Sequence, residues 1–296
     1  MINKSHDDVT QSVLDVMAQT HDPRLREIMT SLAAHLHAFV RDVRLTEAEF
    51  QMATRILNTM GQQTNERHNE FVLMAGSLGV SALVCLLNNG DNGQTETTQS
   101  MLGPFWRLNH PLTEDGASIV RSETPGPQLF AQIRVLDQDG NPVEGAEVDI
   151  WHASPVGLYD NQDPQQVDYN LRGKFLTDAN GSFRFRSVKP VGYPIPTDAT
   201  VGRLLAAQGR HPYRPAHVHA LVYKDNYKTQ TSQIYVDETD YLHTDVQFGV
   251  TEALIGNLVR HDAPHPEFGD IGDWYTLDFT LRLEPGVARL PIPPIK

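Results

Sequence analysis

The chain is nearly without cysteine. Its one cysteine, Cys85, has no partner for an internal disulfide, and a lone thiol excludes iron–sulfur clusters and thiolate-rich zinc sites. Cys85 sits in an apolar run and reads as a small buried hydrophobe. Positive charge is also scarce: 24 Lys and Arg stand against 37 Asp and Glu, a formal net charge of −13. So acidic a chain offers no basic face for nucleic acid or for an anionic membrane surface. No apolar run is long enough to span a bilayer, and residues 1–20 hold no apolar stretch of the secretion-signal kind. The expectation is a soluble cytoplasmic protein. Core-forming residues are not scarce. With 40% hydrophobic content over 296 positions, the chain can build one large domain or a domain with a sizeable extension.

Over residues 1–90 the apolar spacing is helical. Asp22-Pro23 places an N-cap before a proline in the first turn, ahead of Leu25, Ile28, Met29, Leu32, Leu36, Phe39 and Val40. Thr46 and Glu49 form a capping box with Leu45 and Phe50 as its hydrophobic staple, and Gly61 reads as the stop. A third helix is expected from about Asn69 to Leu87. It is apolar most of the way round, so both faces need covering, by the rest of the chain or by a second copy. The loop Asn88–Gly93 breaks the pattern.

From about residue 128 the period changes to two. Leu129, Ala131, Ile133 and Val135 lead to a turn at Asp139-Gly140 and a return through Val148 and Ile150. Phe175, with Phe183 and Phe185 beyond Asn180-Gly181, reads as a second hairpin, followed by strands at 217–223, 231–236 and 275–283. The expected fold class is α+β. An N-terminal helical domain (1–100) is joined, through 91–127, to an antiparallel β-sandwich (101–296).

The chemistry centres on Arg214-Pro215-Ala216-His217-Val218-His219, which runs directly into the apolar Ala220-Leu221-Val222. On a strand, His217 and His219 share one face and make half of a metal site. Imidazole suits zinc, copper, iron and nickel alike, so the remaining ligands decide the metal. Zinc wants a third His or a carboxylate; ferrous iron wants one carboxylate beside two His; ferric iron favours anionic oxygen such as phenolate. Two tyrosines stand out by their setting: Tyr159, where a strand runs into a loop, and Tyr193, in the rigid Gly192-Tyr193-Pro194-Ile195-Pro196. A zinc hydrolase using Asp160 beside the two histidines, and a non-catalytic β-sandwich binding module, are the rival readings.

Taken together, the motifs resemble the intradiol ring-cleaving dioxygenases, non-haem ferric enzymes that open catechols between the hydroxyl-bearing carbons. The resemblance rests on Leu102-Gly103-Pro104-Phe105, Trp151-His152, Gly157-Leu158-Tyr159, Gly192–Pro196, Val201–Leu205, Arg214–His219 and Gln233–Asp237, and spans residues 20–285. It implies a ferric ion, Fe(3+), held by Tyr159, Tyr193, His217 and His219, with O2 as co-substrate. It implies that Tyr193 also takes a substrate proton, that Arg214 supplies a fixed positive charge, and that Gln233 hydrogen-bonds in the same pocket. A homodimer built on the N-terminal helices is implied too, with an apolar channel there that several relatives fill with lipid. Within the family, Tyr193–Pro196, Leu102–Phe105 and Val246–Val250 resemble the hydroxyquinol (1,2,4-trihydroxybenzene) branch, which forms maleylacetate. The catechol branch, which forms cis,cis-muconate, is the alternative. The implied ring pocket comprises Leu73, Gly76, Leu102, Gly103, Pro104, Phe105, Ile195 and Pro196. Gly76 departs from both branches, which tend to carry an acidic residue or a proline there, and its missing side chain suggests room for a larger or substituted ring.

Overall fold

A computed structural model describes residues 2–65, 68–89, 97–237 and 239–293. The expected loop break at Asn88–Gly93 lies outside the described residues from Gly90 onward, as does the start of the connection, 91–96. Two compact units divide the chain between Thr59 and Met60.

The first unit is helical. Helix α2 (Pro23–Asp42) starts as its sequence dictates, with Leu25 N–H donating to Asp22 Oδ1 at 2.7 Å. At the head of α3 (Glu47–Gln63), Thr46 N–H reaches Glu49 Oε2 at 2.9 Å and Glu49 N–H reaches Thr46 Oγ1 at 3.3 Å, the reciprocal box expected there. An additional helix, α1 (His6–Met17), precedes them, capped by the Ser5–Asp8 box. Gly61 does not stop α3. The helix runs to Gln63, and Thr64 closes the last turn through its N–H and hydroxyl to Met60 C=O at 3.1 and 3.0 Å.

In the second unit, the single helix expected over 69–87 is two: α4 (Glu70–Ser77) and α5 (Val80–Asn89), bent by 75°. Gly79 makes the break at φ +73°, a conformation L-residues avoid. The unbroken apolar character of the segment hides this corner. Among the described residues no single helix is long and apolar enough to cross a membrane. Helix α6 (Thr200–Ala207) begins at Ala199, which has no capping side chain. Two other helices cap it instead, Gln63 Oε1 accepting from Thr200 N–H at 3.2 Å and Glu70 Oε2 from Val201 N–H at 2.9 Å.

Eight strands form one sheet: β1 (Gln128–Asp137), β2 (Glu147–Trp151), β3 (Arg172–Leu176), β4 (Ser182–Val188), β7 (His217–Tyr223), β8 (Gln230–Val236), β9 (Ile255–His261) and β10 (Trp274–Leu283). Two short strands, β5 (Tyr193–Pro194) and β6 (Tyr213–Arg214), pair separately. The order is β3-β2-β7-β8-β9-β10-β1-β4. The sheet is mixed rather than purely antiparallel, since β1 runs parallel to β10 and β8 parallel to β9. Nor do the two expected hairpins form: β1 lies between β10 and β4, and β2 lies between β3 and β7. Alternation specifies which residues face the core but not which strand lies alongside. The sheet curls into a nearly closed sandwich, bringing Phe175 of β3 onto Phe183 of β4 with ring centroids 5.0 Å apart. Ile133, Val148, Val218, Ile234, Leu277 and Leu281 fill its interior, all fully buried. Strand β7 is buried along nearly its whole length, which puts its polar face in a dry environment.

Glycines 61 and 79 should respond to alanine with opposite signs. Gly61→Ala fills a helix interior where the nearest atom is 3.9 Å away, and should stabilise by up to about 1 kcal/mol. Gly79→Ala forces a Cβ into a left-handed conformation and should cost about 1–2 kcal/mol. Urea unfolding of the two variants checks this.

Candidate active site

Strand β7 sets the centre. His217 and His219 project from one face, each opposite a polar partner on β8: His217 is in register with Tyr235 and His219 with Gln233. On the other side His219 is in register with Trp151, whose ring stacks on it with centroids 4.6 Å apart. The β5–β6 pair places Tyr193 opposite Arg214, and the loop after β2 delivers Tyr159. Residues distant in sequence thus meet at their tips. Tyr159 Oη is 2.9 Å from Tyr193 Oη, Tyr193 Oη is 3.3 Å from His217 Nε2, and His217 Nε2 is 3.2 Å from His219 Nε2. All four side chains are buried.

Burial sets their charge. It pushes the Tyr159 phenol well above its ordinary pKa, helped by Tyr193 beside it, and raises that of Tyr193 against the pull of Arg214. It drives His217 down to about 3, with Arg214 adding to the effect, and holds His219 well below the usual imidazole range. His217 Nδ1 lies 2.8 Å from the Pro215 carbonyl, so it carries the proton and leaves the Nε2 lone pair facing the cluster. Two neutral imidazoles and two phenols, close enough to share one centre, form a donor set that suits a hard, highly charged cation. Such a cation would also ionise the phenols, which burial alone keeps protonated. Gly103, at φ +74°, lies over this set; a Cβ there would meet His219 Cε1 at 3.0 Å.

Arg214 is the buried cation of the site. Its Nη2 donates to Gln233 Oε1 (2.8 Å), Tyr235 Oη (2.6 Å) and Asp245 Oδ2 (3.0 Å), its Nε to Asp245 Oδ1 (3.1 Å), and its Nη1 lies 3.4 Å from His217 Nε2. Gln233 is fully engaged, since its Nε2 donates to the Met101 carbonyl at 2.7 Å. Burial works against the Asp245 carboxylate. Arg214, with N–H groups of Gly249 and Gln247, outweighs that and holds its pKa below the ordinary value. Asp245 and Tyr235 were not among the residues expected at the site. The signal for Asp245 is physical: a buried arginine needs a counter-charge.

A second ion-pair network lies behind Tyr159. Asp160 accepts from Arg172 and from Arg107, both at 2.6 Å, and Arg172 also donates to the Phe105 carbonyl at 2.7 Å. Phe105 stacks on Tyr159 with centroids 4.5 Å apart. A cavity of about 720 Å³ is lined by Leu73, Gly76, Leu102, Gly103, Pro104, Phe105 and Pro196 among others, and it adjoins the donors through Gly103, beside His219, and Phe105, on Tyr159. Ile195 is not in its lining; it packs with Met60, Leu73, Val201, Leu205 and Val246. Gln247 lines the cavity although the sequence reading did not assign it there.

A sequence profile described as Dioxygenase matches residues 101–283, and one described as Catechol dioxygenase N terminus matches residues 22–96. The hydroxyquinol 1,2-dioxygenase of a Rhizobium species is 40% identical over 269 residues, covering 90% of this chain and 90% of the relative. The catechol 1,2-dioxygenase of Candida albicans is 32% identical over 277 residues, covering 93% of this chain and 91% of the relative. A solved structure of hydroxyquinol 1,2-dioxygenase from Pseudomonas putida aligns with a TM-score of 0.86 at 32% identity, over 95% of this chain and 99% of the other. The chain belongs to the intradiol catechol dioxygenase family. It is an intradiol dioxygenase of the hydroxyquinol or catechol 1,2-dioxygenase type, from a family that works with non-haem ferric iron and dimerises through its N-terminal region.

For an intradiol dioxygenase, the zinc-hydrolase and binding-module readings fall away. Asp160 is spent on Arg172 and Arg107, and among the described residues no group of three or more His, Cys, Asp or Glu is placed to hold a metal. The room expected at Gly76 is also taken, by the side chain of Gln247.

Asp245→Asn should destabilise the enzyme by about 3–5 kcal/mol at pH 7, because it leaves Arg214 buried without its counter-charge. A carboxylate with a depressed native pKa stabilises above its unfolded pKa, about 4, and loses that contribution as pH falls through the native value. The gap between wild type and variant should therefore narrow as urea unfolding is repeated from pH 7 down toward pH 3.

Proposed function

We propose that the enzyme opens 1,2,4-trihydroxybenzene (hydroxyquinol) with O2 to give maleylacetate, at a ferric ion held by Tyr159, Tyr193, His217 and His219. The observation that carries the reading is the meeting of two phenols and two imidazoles within 2.9–3.3 Å in a dry cluster. Catechol, giving cis,cis-muconate, is the alternative substrate. Hydroxyquinol is favoured by the 40% identity to a hydroxyquinol dioxygenase against 32% to a catechol dioxygenase. The exposed apolar face of α2 (Leu25, Ile28, Leu32, Leu36, Phe39) supports a homodimer formed through the helical region. The acidic chain supports a cytoplasmic location away from nucleic acid and membranes.

Tyr159, Tyr193, His217 and His219 would hold a ferric ion, which would supply Lewis acidity toward the ring diolate. The side chains do the rest. Tyr193, as the phenolate that a bound cation would make of it, accepts a proton at Oη from an arriving ring hydroxyl, and Tyr159 Oη at 2.9 Å can accept a hydrogen bond from the phenol so formed. Arg214, immobilised by Asp245, Tyr235 and Gln233, presents its positive charge where negative charge develops on the substrate, without reorganising. Gln233 acts through Arg214, as a positioning residue. Leu73, Leu102, Pro104, Phe105 and Pro196 keep water from the ring.

Oxygen uptake measured side by side with hydroxyquinol, catechol and 4-methylcatechol tests the substrate. The highest kcat/KM is expected for hydroxyquinol. A wide preference for catechol overturns that choice, and no uptake with any of the three overturns the activity.

Two variants separate the roles. Tyr193→Phe should retain iron by metal analysis and lose about 10²–10⁴-fold in kcat. Arg214→Ala, in an Asp245→Asn background so that no buried carboxylate is left alone, should bind substrate anaerobically and react slowly with O2. Loss of iron from both variants alike would contradict these assignments.

A further inference from the structure

Position 76 on α4 has no side chain, and the space is filled from another segment. A Cβ on Gly76 would stand 3.0 Å from Cδ, 3.2 Å from Nε2 and 3.3 Å from Cγ of Gln247. Gln247 is only 8% exposed and lines the cavity together with Leu73, Leu102, Pro104, Phe105 and Pro196. Its backbone N–H is bonded, but no hydrogen bond joins its side-chain amide to another of the described residues. The amide borders the cavity, and a ring that covers it without offering a hydroxyl leaves it unpaired, whereas a ligand hydroxyl placed there satisfies it.

The backbone around Gln247 aims the amide. Asp245 accepts from Gln247 N–H at 3.2 Å through Oδ1 and from Gly249 N–H at 2.9 Å through Oδ2, and Phe248 N–H reaches the Asp245 carbonyl at 3.0 Å. Phe248 is held at φ +56°, a left-handed conformation costly for a large side chain. Val246 and Phe248 line a different cavity, and of residues 245–249 it is Gln247 that lines this one. Because Asp245 also grips Arg214, the amide stands in fixed register with the cation of the active site.

We propose that Gln247 is a specificity-determining residue that pairs with the additional hydroxyl of a trihydroxylated ring. The proposal rests on the ring-opening activity above and adds the group that tells a triol from a diol. The amide both donates and accepts, so it satisfies a neutral hydroxyl without a charge. A ring lacking that hydroxyl leaves the amide unpaired, which is how a polar site rejects a smaller analogue. Gly76 belongs to the same device, because any side chain there would displace the amide.

Anaerobic dissociation constants and kcat/KM for 1,2,4-trihydroxybenzene and catechol are measured on the iron-loaded full chain, for wild type, Gln247→Met and Gly76→Ala. The triol-to-diol preference should fall about 10- to 100-fold in Gln247→Met. It should fall in Gly76→Ala as well, where the new methyl group displaces the amide. Each ratio is taken within one preparation, so a partly unfolded variant does not distort it. An unchanged ratio in both variants overturns the role of Gln247. If wild type opens no ring yet the ratio of dissociation constants falls in the variants, the pairing stands and the proposed activity fails. Equal affinities for both rings in wild type overturn the pairing directly.

Discussion

Exclusion of water from the face of β7 governs how this site behaves. Tyr159, Tyr193, His217 and His219 each carry a polar tip, and each is at most 6% exposed. In water these tips would be solvated independently; here they have mainly one another, at 2.9 to 3.3 Å. Burial penalises charge on every one of them, holding phenols as phenols and imidazoles neutral. The protein alone therefore presents lone pairs and acidic protons without net charge. Such a set suits a highly charged cation, most of whose charge two phenolates would offset.

The same dryness explains why the neighbouring arginines are so completely committed. Arg214 is paired with Asp245, and Arg172 with Asp160, which also holds Arg107. Through Arg107–Asp160 and Arg214–Asp245, each network ties together segments well separated in the chain. Arg172 reaches the Phe105 carbonyl, and Phe105 stacks on Tyr159, so one ion pair orders both a pocket wall and a proposed ligand. Arg214 joins β6 to Tyr235 and Gln233 on β8 and to the turn at Asp245, so a second orders the substrate side. Removing one member of either pair strands a charge in low dielectric, and the geometry of the donors depends on that not happening.

Much of this was legible in the sequence, and unevenly so. The period-two strands β1, β2, β7, β8 and β10 and the Thr46–Glu49 cap follow from local rules and appear where expected. Strand partners do not follow from local rules. The Asp139-Gly140 turn predicts β1 folded back on β2, yet β1 pairs with β10 some 150 positions on. The corner at Gly79 was hidden because apolar residues on both sides continue a helical pattern through it. At the site, the meeting of Tyr159 and Tyr193 with the histidines could be ranked by setting, but the resemblance of the motifs is what named the four as a set. Asp245 and Gln247 escaped because their importance comes from what they face, Arg214 and Gly76, and facing is a property of the folded chain.

The division of labour in the fold bears on how specificity can change. The donor residues come from the β-sheet, the β5–β6 pair and the loop after β2, all braced by buried ion pairs. The adjoining cavity is walled by α4, α5, the 101–105 segment and Gln247 among others, and its walls meet the donors at Gly103, against His219, and Phe105, against Tyr159. A change at a wall position such as Gly76 alters what the cavity accepts without moving a donor, because α4 contributes none. The reverse does not hold. Asp245 ties the turn that carries Gln247 to Arg214, so the electrostatic group and the discriminating amide share one anchor. In the proposed reading, a substrate placed by the amide is thereby placed relative to the guanidinium, which would couple recognition of the ring to the charge beside it.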